Sequence, residues 1–480
     1  MRLPKEVQSI LTTIKDGGFE AYAVGGCVRD LILGKEPKDW DITTNAVPEK
    51  IQAFFPEHVY ENTFGTVAVK TGSDNPSLAL VEVTPYRIEG KYSDKRHPDE
   101  IKFADKLEDD LSRRDFTVNA LALDNYSDDV KILDPFNGQE DIKNKIIRTV
   151  GDPELRFHED ALRVLRAVRF ATVLGFTIEP ATLSAIKKNA EFLRTISKER
   201  IRDEFVKIVE SDNGYEGMLL LEETGLMQYI VPELREGIGI DQNLHHIYTV
   251  WEHNTRALKY TVEQKYSLAI RLGALFHDIG KPRTKRGEGK FATFYGHEVI
   301  GAHMVAGIID RLKFSKELSD KIVKLVRYHM FYYNVDEVTE SSVRRLLVNV
   351  GQENVEDLLK IREADRIGSG RPKAIPYKLR HLKYIIDKVS HDPISVKMLK
   401  VNGEDVMNEL ASGPGPKVGL VLNCLLADVL DDPSHNTKEY LMDRIHELDK
   451  QSPEDLKKAL EKIEKAQEEE EKERAKKYYV

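Results

Sequence analysis

The apolar residues of this 480-residue chain change their spacing near residue 150. Before that point they come in short runs cut by turn residues, and AYAVGG, DITTN, GTVAVKT, LALVEVTP and ALALD each read as a strand. After about Leu155 they recur at three- and four-residue intervals almost to the end, the spacing of helices with one buried face. The switch predicts an α+β protein, a head with a small mixed sheet followed by an all-α remainder. One core rarely serves a chain this long, so two to four domains are expected. Turn residues cluster near 150, at 211–240 and in GSGRPKAIP at 368–376, and the division they suggest is 1–148, 149–215, 216–370 and 371–480. The C-terminal EKIEKAQEEEEKERAKK alternates in charge and reads as a solvated single helix.

Composition narrows the class. Hydrophobic residues make up 41%, too many for a disordered chain. Lys and Arg number 72 against 81 Asp and Glu, a formal charge of −9 that argues against a basic coat but leaves room for local basic patches. Cys27 and Cys424, the two cysteines, cannot build a disulfide framework and suit a reducing cytoplasm. Lys5, Gln8 and Lys15 interrupt the first apolar run, which predicts an amphipathic helix and not a secretion signal. No run of about 18 apolar residues occurs, so no membrane span is expected.

The densest chemistry lies in AYAVGGCVRDLILGKEPKDWDITTN. A strand runs into Gly25-Gly26 and a helix follows, a turn that can point backbone N–H groups at a phosphate. Asp39 and Asp41 follow on a predicted strand, where period two puts them on one face. Glu82 stands alone among apolar neighbours in LALVEVTP and is expected to be buried, which is costly unless it is paired or metal-bound. Three carboxylates on neighbouring strands beside such a turn suit two magnesium ions and phosphoryl transfer; singly, each would pass for an ordinary turn or edge residue.

GGCVRD, LGKEPKDWD, VEVTPYR and LSRRDFTVNALAL resemble the class II tRNA nucleotidyltransferases and their bacterial poly(A) polymerase relatives, template-free members of the polymerase-beta nucleotidyltransferase superfamily. The resemblance continues through DPFNGQEDI, RFHEDALRVLRAVRFA and KERIRDEF, dense over the first 210 residues and looser beyond. It implies that Asp39 and Asp41 ligate Mg2+ with Glu82 as third carboxylate, and that Gly25, Gly26, Arg29 and Asp30 lie against the triphosphate. It further implies that Arg113, Asp115 and Asn119 contact ribose and phosphates, that Arg166 belongs to the nucleotide site, and that Asp134, Gly138 and Asp141 act at a head–neck joint. KYSDKRHPDEIKF, 91–103, matches the family's flexible loop.

FHEDALRVLRAVRF is predicted to be one helix with His158, Glu159 and Asp160 at its start and with Asp160 and Arg163 on one face. The plain reading of that pair is an intrahelical ion pair. The resemblance assigns it another task, an amino-acid template for CTP and ATP. Cytosine and adenine both present an amine donor beside a ring-nitrogen acceptor, complementary to a carboxylate beside a guanidinium. Guanine and uracil present the reverse order, and an unpaired buried polar group costs about 1–3 kcal/mol. Glu159 would hold Arg163, and Arg200 and Glu204 of ERIRDEF would support the helix.

Residues 245–365 hold a second constellation. His253, His277-Asp278 in RLGALFHDIGKP, His297, His303 and His329 all fall in predicted helices, too many to explain as satisfied core histidines. The order His…His-Asp…Asp, ending at Asp365, resembles the HD phosphohydrolase superfamily. That resemblance implies a divalent metal, either a transition metal or Mg2+, on His253, His277, Asp278 and Asp365. His297 and His329 stand where two-metal members keep further ligands, and His303 is spare. Phosphohydrolase activity on phosphate or 2′,3′-cyclic phosphate ends is the implied chemistry.

RPKAIPYKLRHLKYIIDK concentrates Arg371, Lys373, Lys378, Arg380 and Lys383 among Tyr377 and Tyr384, either a phosphate-tracking helix or an ordinary solvated face. NGEDVM and GPGPKVG resemble the tRNA-binding tail of the bacterial enzymes, with a loop from Gly413 to Gly419 opening a helix. Together these readings imply C, C and A addition to the tRNA 3′ end from CTP and ATP, with tRNA as partner and neither DNA nor membrane. The rivals are a poly(A) polymerase, a CC-only or A-only enzyme, and a phosphohydrolase whose head only binds RNA.

Overall fold

A computed structural model describes residues 2–61, 65–89, 101–124, 131–243, 247–331, 333–335, 337–410 and 413–476. Most of the expected flexible loop, residues 91–100, lies outside them. The chain forms two compact units, Met1–Arg235 with Ile308–Phe314, and Glu236–Gly307 with Ser315–Val480. It is an α+β protein, as the change of period predicts.

The described strands of the first unit make a seven-stranded sheet in the order His58–Glu61, Thr66–Lys70, Leu80–Pro85, Asp41–Thr44, Ala21–Val24, Ala122–Asp124, Lys131–Leu133. Neighbours run antiparallel except Asp41–Thr44 and Leu80–Pro85, which are parallel. Alternation sorts the side chains. Ala21, Ala23, Ile42, Val67, Val69, Val81 and Val83 are buried on one face, where the helices Lys5–Asp16 and Pro48–Phe54 pack. The other face carries Asp41, Thr43 and Glu82. Glu82 is exposed there, not buried as its apolar neighbours suggest, because Val81 and Val83 turn to the opposite side. Asp39 precedes the strand, which begins at Asp41, so the two aspartates do not share a strand face by period two. His58–Glu61, Lys131–Leu133 and the hairpin Arg87–Glu89 with Ile101–Phe103 are strands beyond the five read from sequence.

Beyond the sheet, the helices Arg163–Leu174, Lys198–Glu210 and Gly214–Glu223 pack on one another. The second unit is helical among its described residues. Val250–Glu263, Leu268–Phe276, Lys316–Tyr328 and Gln352–Gly368 form one packed group, and GSGRPKAIP breaks the chain before Tyr377–Val389. A last cluster joins Gly403–Glu409, Pro416–Asp431, Lys438–Asp449 and the start of Pro453–Lys476 through Val406, Val421, Leu425, Leu441 and Leu456. Gly419 lies inside a helix and not in the expected loop, because Pro416 with its preset φ already starts the helix. No helix among the described residues is long and apolar enough to cross a membrane.

Candidate functional site

The head site is built around Gly25. Its φ of +85° lies in the left-handed region, and a Cβ there would sit 2.8 Å from Arg114 Nη1 and 3.7 Å from Asp41 Oδ2. Only glycine lets the turn enter the helix Gly26–Ile32 this close to a carboxylate and a guanidinium. Asp41 is the register partner of Glu82, so both leave the sheet on one face, side by side. Burial raises the Asp41 carboxyl above its ordinary value; Arg114 opposes this and Asp39 adds to it. Asp39 is exposed at the bend before the strand. Hard carboxylate oxygens of this kind suit Mg2+, although Asp39, Asp41 and Glu82 are not among the groups whose ligand atoms all lie within 4.8 Å. Arg114 was not singled out by sequence; its place beside Gly25 becomes visible only once Leu107–Ser112 and the Gly25 turn are brought together.

Of the residues expected at the nucleotide, Arg29, Asp30, Asn119, Asp115 and Arg166 form one hydrogen-bonded chain. Arg29 donates from Nε and Nη2 to Asp30 Oδ1 at 2.9 and 2.7 Å and from Nη1 to Asn119 Oδ1 at 2.6 Å. Asn119 donates to Asp115 Oδ1 at 3.1 Å, and Arg166 donates to Asp115 Oδ2 at 2.9 and 2.6 Å. Burial alone would raise Asp115, but Arg166 and Asn119 overcome it and hold the carboxyl well below its usual range. Arg113 donates to the buried Asp110 Oδ1 at 3.0 and 2.7 Å. Asp134 accepts from the Gly138 amide at 2.7 Å, and Asp141 accepts from Thr117 at 2.6 Å and from Arg148.

The helix expected through Phe157 is two helices. Pro153–Glu159 ends at Asp160, which has extended φ/ψ (−131°, 107°), and Arg163–Leu174 begins afresh. His158 and Glu159 therefore lie at the end of the first helix, not at the start of a long one. The break has a local cause: Asp160 Oδ1 accepts from the Leu162 amide at 3.0 Å, an Asx turn that competes with helix. The Arg163 amide donates to the Asp160 carbonyl at 3.0 Å, but the two side chains do not pair with each other. Asp160 Oδ2 accepts from Arg200 at 3.1 Å, while Arg163 donates to Glu159 Oε2 at 2.5 Å and to the Arg113 carbonyl at 3.0 Å. Glu204 accepts from Arg169 at 2.8 Å, which packs its guanidinium 3.5 Å from the Phe170 ring centroid. Asp160 and Arg163 are thus each held by a different side chain, Arg200 and Glu159.

In the second unit the expected residues come together. His253, His277, Asp278 and Asp365 form one group with ligand atoms within 4.8 Å, and Asp278, His297 and His329 form another. Asp278 joins them: Oδ2 lies 3.0 Å from His253 Nε2 and 3.3 Å from His277 Nε2, and Oδ1 lies 3.1 Å from His297 Nε2 and 3.5 Å from His329 Nε2. The Nδ1 atoms of His277, His297 and His329 face the carbonyls of Ala274, Phe294 and Val326 at 2.7, 2.8 and 2.7 Å. A carbonyl can only accept, so each Nδ1 carries a proton and each Nε2 is turned inward, where it can ligate a metal once it is not itself protonated. His277 and His329 sit just past helix ends and not within helices. Burial would lower His277, but Asp278 and Asp365 push it up to about 10, whereas burial leaves His329 at about 4. Lys281 Nζ lies 2.6 Å from Asp278 Oδ2 and 2.6 Å from Gln242 Oε1. These donors fit one or two divalent cations. His303 is in neither group. In the basic segment Lys383 bonds the buried Glu363 at 3.3 Å and Arg380 bonds the Ile375 carbonyl at 3.2 Å, while Arg371, Lys373 and Lys378 lie at the surface or half-buried.

Three family profiles match stretches of the chain that include many of these residues. The family profile for the poly A polymerase head domain matches residues 21–148, that for a probable RNA and SrmB-binding site of polymerase A matches 175–238, and that for the HD domain matches 250–368. The CCA-adding enzyme of Lactobacillus helveticus is 48% identical over 220 residues, 46% of this chain and 53% of that protein. The chain spans about half the length of this and similarly matched relatives. The CCA-adding enzyme of Ligilactobacillus salivarius is 33% identical over 453 residues, 92% of this chain and 96% of that protein. The Bacillus stearothermophilus CCA-adding enzyme in complex with CTP superimposes with a TM-score of 0.65 at 29% identity, over 93% of this chain and 98% of that one.

Proposed function

Since the chain belongs to the CCA-adding enzyme family, we propose that it adds C, C and A to the 3′ end of tRNA from CTP and ATP and releases pyrophosphate. The observation that carries this reading is the side-by-side placement of Asp41 and Glu82 next to the Gly25 turn. Mg2+ held by Asp39, Asp41 and Glu82 would stabilise charge on the triphosphate and acidify the attacking hydroxyl. The chain's own residues do the rest. Gly25, Gly26, Arg29 and Asp30 seat the triphosphate, and Arg113, Asp115, Asn119 and Arg166 position the ribose end. The tRNA 3′ oxygen then bonds to the α-phosphorus as the pyrophosphate oxygen leaves. Asp160 accepts from the base amine and Arg163 donates to the ring nitrogen, a selection supported by the way Arg200 and Glu159 hold the two side chains apart. Glu204 and Arg200 support that arrangement.

The same reading divides the chain into head 1–148, neck 149–215, HD body 216–370 and tail 371–480, with Arg371, Lys373, Lys378, Arg380 and Lys383 along the tRNA, and places the protein in the cytoplasm. The group around Asp278 is read as a divalent-metal phosphohydrolase centre, His253, His277, Asp278 and Asp365 holding one ion and Asp278, His297 and His329 a second. The test is a tRNA ending before CCA, incubated with each NTP alone and in combination, with its 3′ ends sequenced. C, C and A in order supports the assignment; A alone, CC alone or an A-tract would replace it with the corresponding rival.

A further inference from the structure

Glu159 is the last residue of the helix Pro153–Glu159 and Arg163 opens the next helix, so helical spacing does not fix how these two side chains meet. Side-chain contacts do. Glu159 Oε2 accepts from Arg163 Nη1 at 2.5 Å. Its other oxygen, Oε1, lies 2.9 Å from Nη2 of Arg156, three residues back on the same helix. Both guanidiniums also reach the end of the helix Leu107–Ser112. Arg156 Nη1 donates to the Ser112 carbonyl at 3.2 Å, and Arg163 Nη2 donates to the Arg113 carbonyl at 3.0 Å. Arg163 Nη1 further donates to the Arg156 carbonyl at 3.3 Å. Two arginines thus share one carboxylate and two consecutive carbonyls, and all three side chains are largely buried.

A guanidinium has five N–H groups. Arg163 commits both of those on Nη1 and one on Nη2 to protein acceptors, which leaves the Nε N–H and the second Nη2 N–H. A carboxylate facing a guanidinium favours two parallel bonds, one from each oxygen. Glu159 makes only one to Arg163, because Arg156 occupies Oε1. Without Arg156, Oε1 is free to close the second bond on Nη2, beside the Nη1 that Oε2 already holds. That bond either takes up a remaining donor or displaces the Arg113 carbonyl, and both changes alter what Arg163 offers to a base.

Resting on the reading of Asp160 and Arg163 as the base-selecting pair, we propose that Arg156 is a positioning residue for base choice. It holds one oxygen of Glu159, keeps that carboxylate to a single bond with Arg163, and so leaves the remaining Arg163 donors to the ring nitrogen of CTP or ATP. Arg156 acts through Glu159 and not on the base.

The experiment measures kcat/KM for each of the four NTPs on tRNAs lacking CCA or only the final A, using the full chain with magnesium. Arg156→Ala is expected to lower the CTP-to-UTP and ATP-to-GTP ratios about tenfold. Arg156→Met, which keeps the stem packed if the smaller side chain prevents folding, is expected to do the same. Arg156→Lys keeps a cation on Glu159 and is expected to retain most of the discrimination. A double-mutant cycle identifies the route: in a Glu159→Ala background, Arg156→Ala should leave the ratios where Glu159→Ala alone puts them. If Arg156→Ala and Arg156→Met lower all four values equally, the proposal is overturned and Arg156 only ties the helices together. A tenfold fall repeated in full in the Glu159→Ala background overturns it as well, since Arg156 would then act through the Ser112 carbonyl. Arg163→Ala is the control on the underlying reading. If it leaves the ratios of the parent unchanged, the base-selecting pair itself is overturned; if it erodes them while the Arg156 variants do not, only the role of Arg156 falls.

Discussion

Asp41 and Glu82 are direct partners in the parallel pair of strands Asp41–Thr44 and Leu80–Pro85, so their carboxylates leave the sheet together on one face. Two like charges held that close favour a shared cation. Asp41→Asn is expected to lower kcat for nucleotide addition by about 10²–10³ or more under magnesium, because it removes charge stabilisation needed in the transition state. The affinity for tRNA should change little. Single-turnover rates and filter binding on the same preparation check this; near wild-type addition would remove Asp41 from the metal site.

The Arg163 guanidinium is held by Glu159 and the Arg113 carbonyl and not by the Asp160 carboxylate, so its removal tests base choice without breaking a side-chain pair between the two. Arg163→Ala is expected to erode discrimination against UTP and GTP by about 1–3 kcal/mol, roughly a factor of 5 to 150. An overall fall in rate is compatible, because a misplaced base also misplaces the triphosphate. The measurement is kcat/KM for each of four NTPs on a shortened tRNA. If all four fall equally, Arg163 only ties helices together.

Asp115 and Arg166 couple the head to the helix Arg163–Leu174 through an ion pair between a buried carboxylate and a half-buried guanidinium. The folded Asp115 carboxyl lies below its ordinary 3.8, so its stabilisation is full above about pH 4 and is lost as pH falls further. Arg166→Met leaves burial, which raises the carboxyl, without its main opponent. The variant should lose about 3–5 kcal/mol near pH 7. It should also regain part of this as pH falls and Asp115 takes up a proton, opposite in sign to the parent. Urea unfolding at pH 3–7, followed at Trp40 in a Trp251→Phe background, separates the two slopes.

Local pattern made the strands around Asp41 and Glu82 legible, because alternation is written in neighbouring residues. It did not show that Glu82 itself is exposed, since that depends on which part of its face is covered. The break at Asp160 was missed for a related reason: the apolar spacing runs through it, and a single Asx turn at Leu162 outweighs the helical pattern. His253, His277, Asp278 and Asp365 could be grouped from their order, but the two-sided use of Asp278 follows only from the packing of four helices. Arg114 and Gln242 carry no motif of their own and acquire meaning from their distance to Gly25 and Lys281.

Gly280 shows how closely the second unit is packed. A Cβ at this position would stand 2.2 Å from the His297 carbonyl and 2.7 Å from the Gly301 amide, both backbone. Gly280→Ala must push the start of the helix His297–Arg311 away, at about 1–3 kcal/mol of overpacking strain. Thermal unfolding followed at Trp251 should report the loss. An unchanged midpoint would mean that this backbone contact is readily relieved.

The last expectation concerns Asp278, whose two oxygens face different histidine pairs. If each group holds a divalent ion, removing a residue from one group should leave the other loaded, whereas removing the shared carboxylate should weaken both. His297→Ala leaves His253, His277, Asp278 and Asp365 intact, and one ion per chain is expected to remain. Asp278→Ala also leaves Lys281 without its carboxylate at 2.6 Å, putting an unpaired ammonium beside the cluster, which further disfavours cations. Its metal content should fall below that of His297→Ala. Elemental analysis after dialysis against manganese gives the stoichiometry, and CCA addition measured on the same samples reports whether the head is affected. Its groups lie in the first compact unit, so addition is expected to persist in both variants. Equal loss of metal from the two variants would show that the ions bind only together, with Asp278 no more shared than His297.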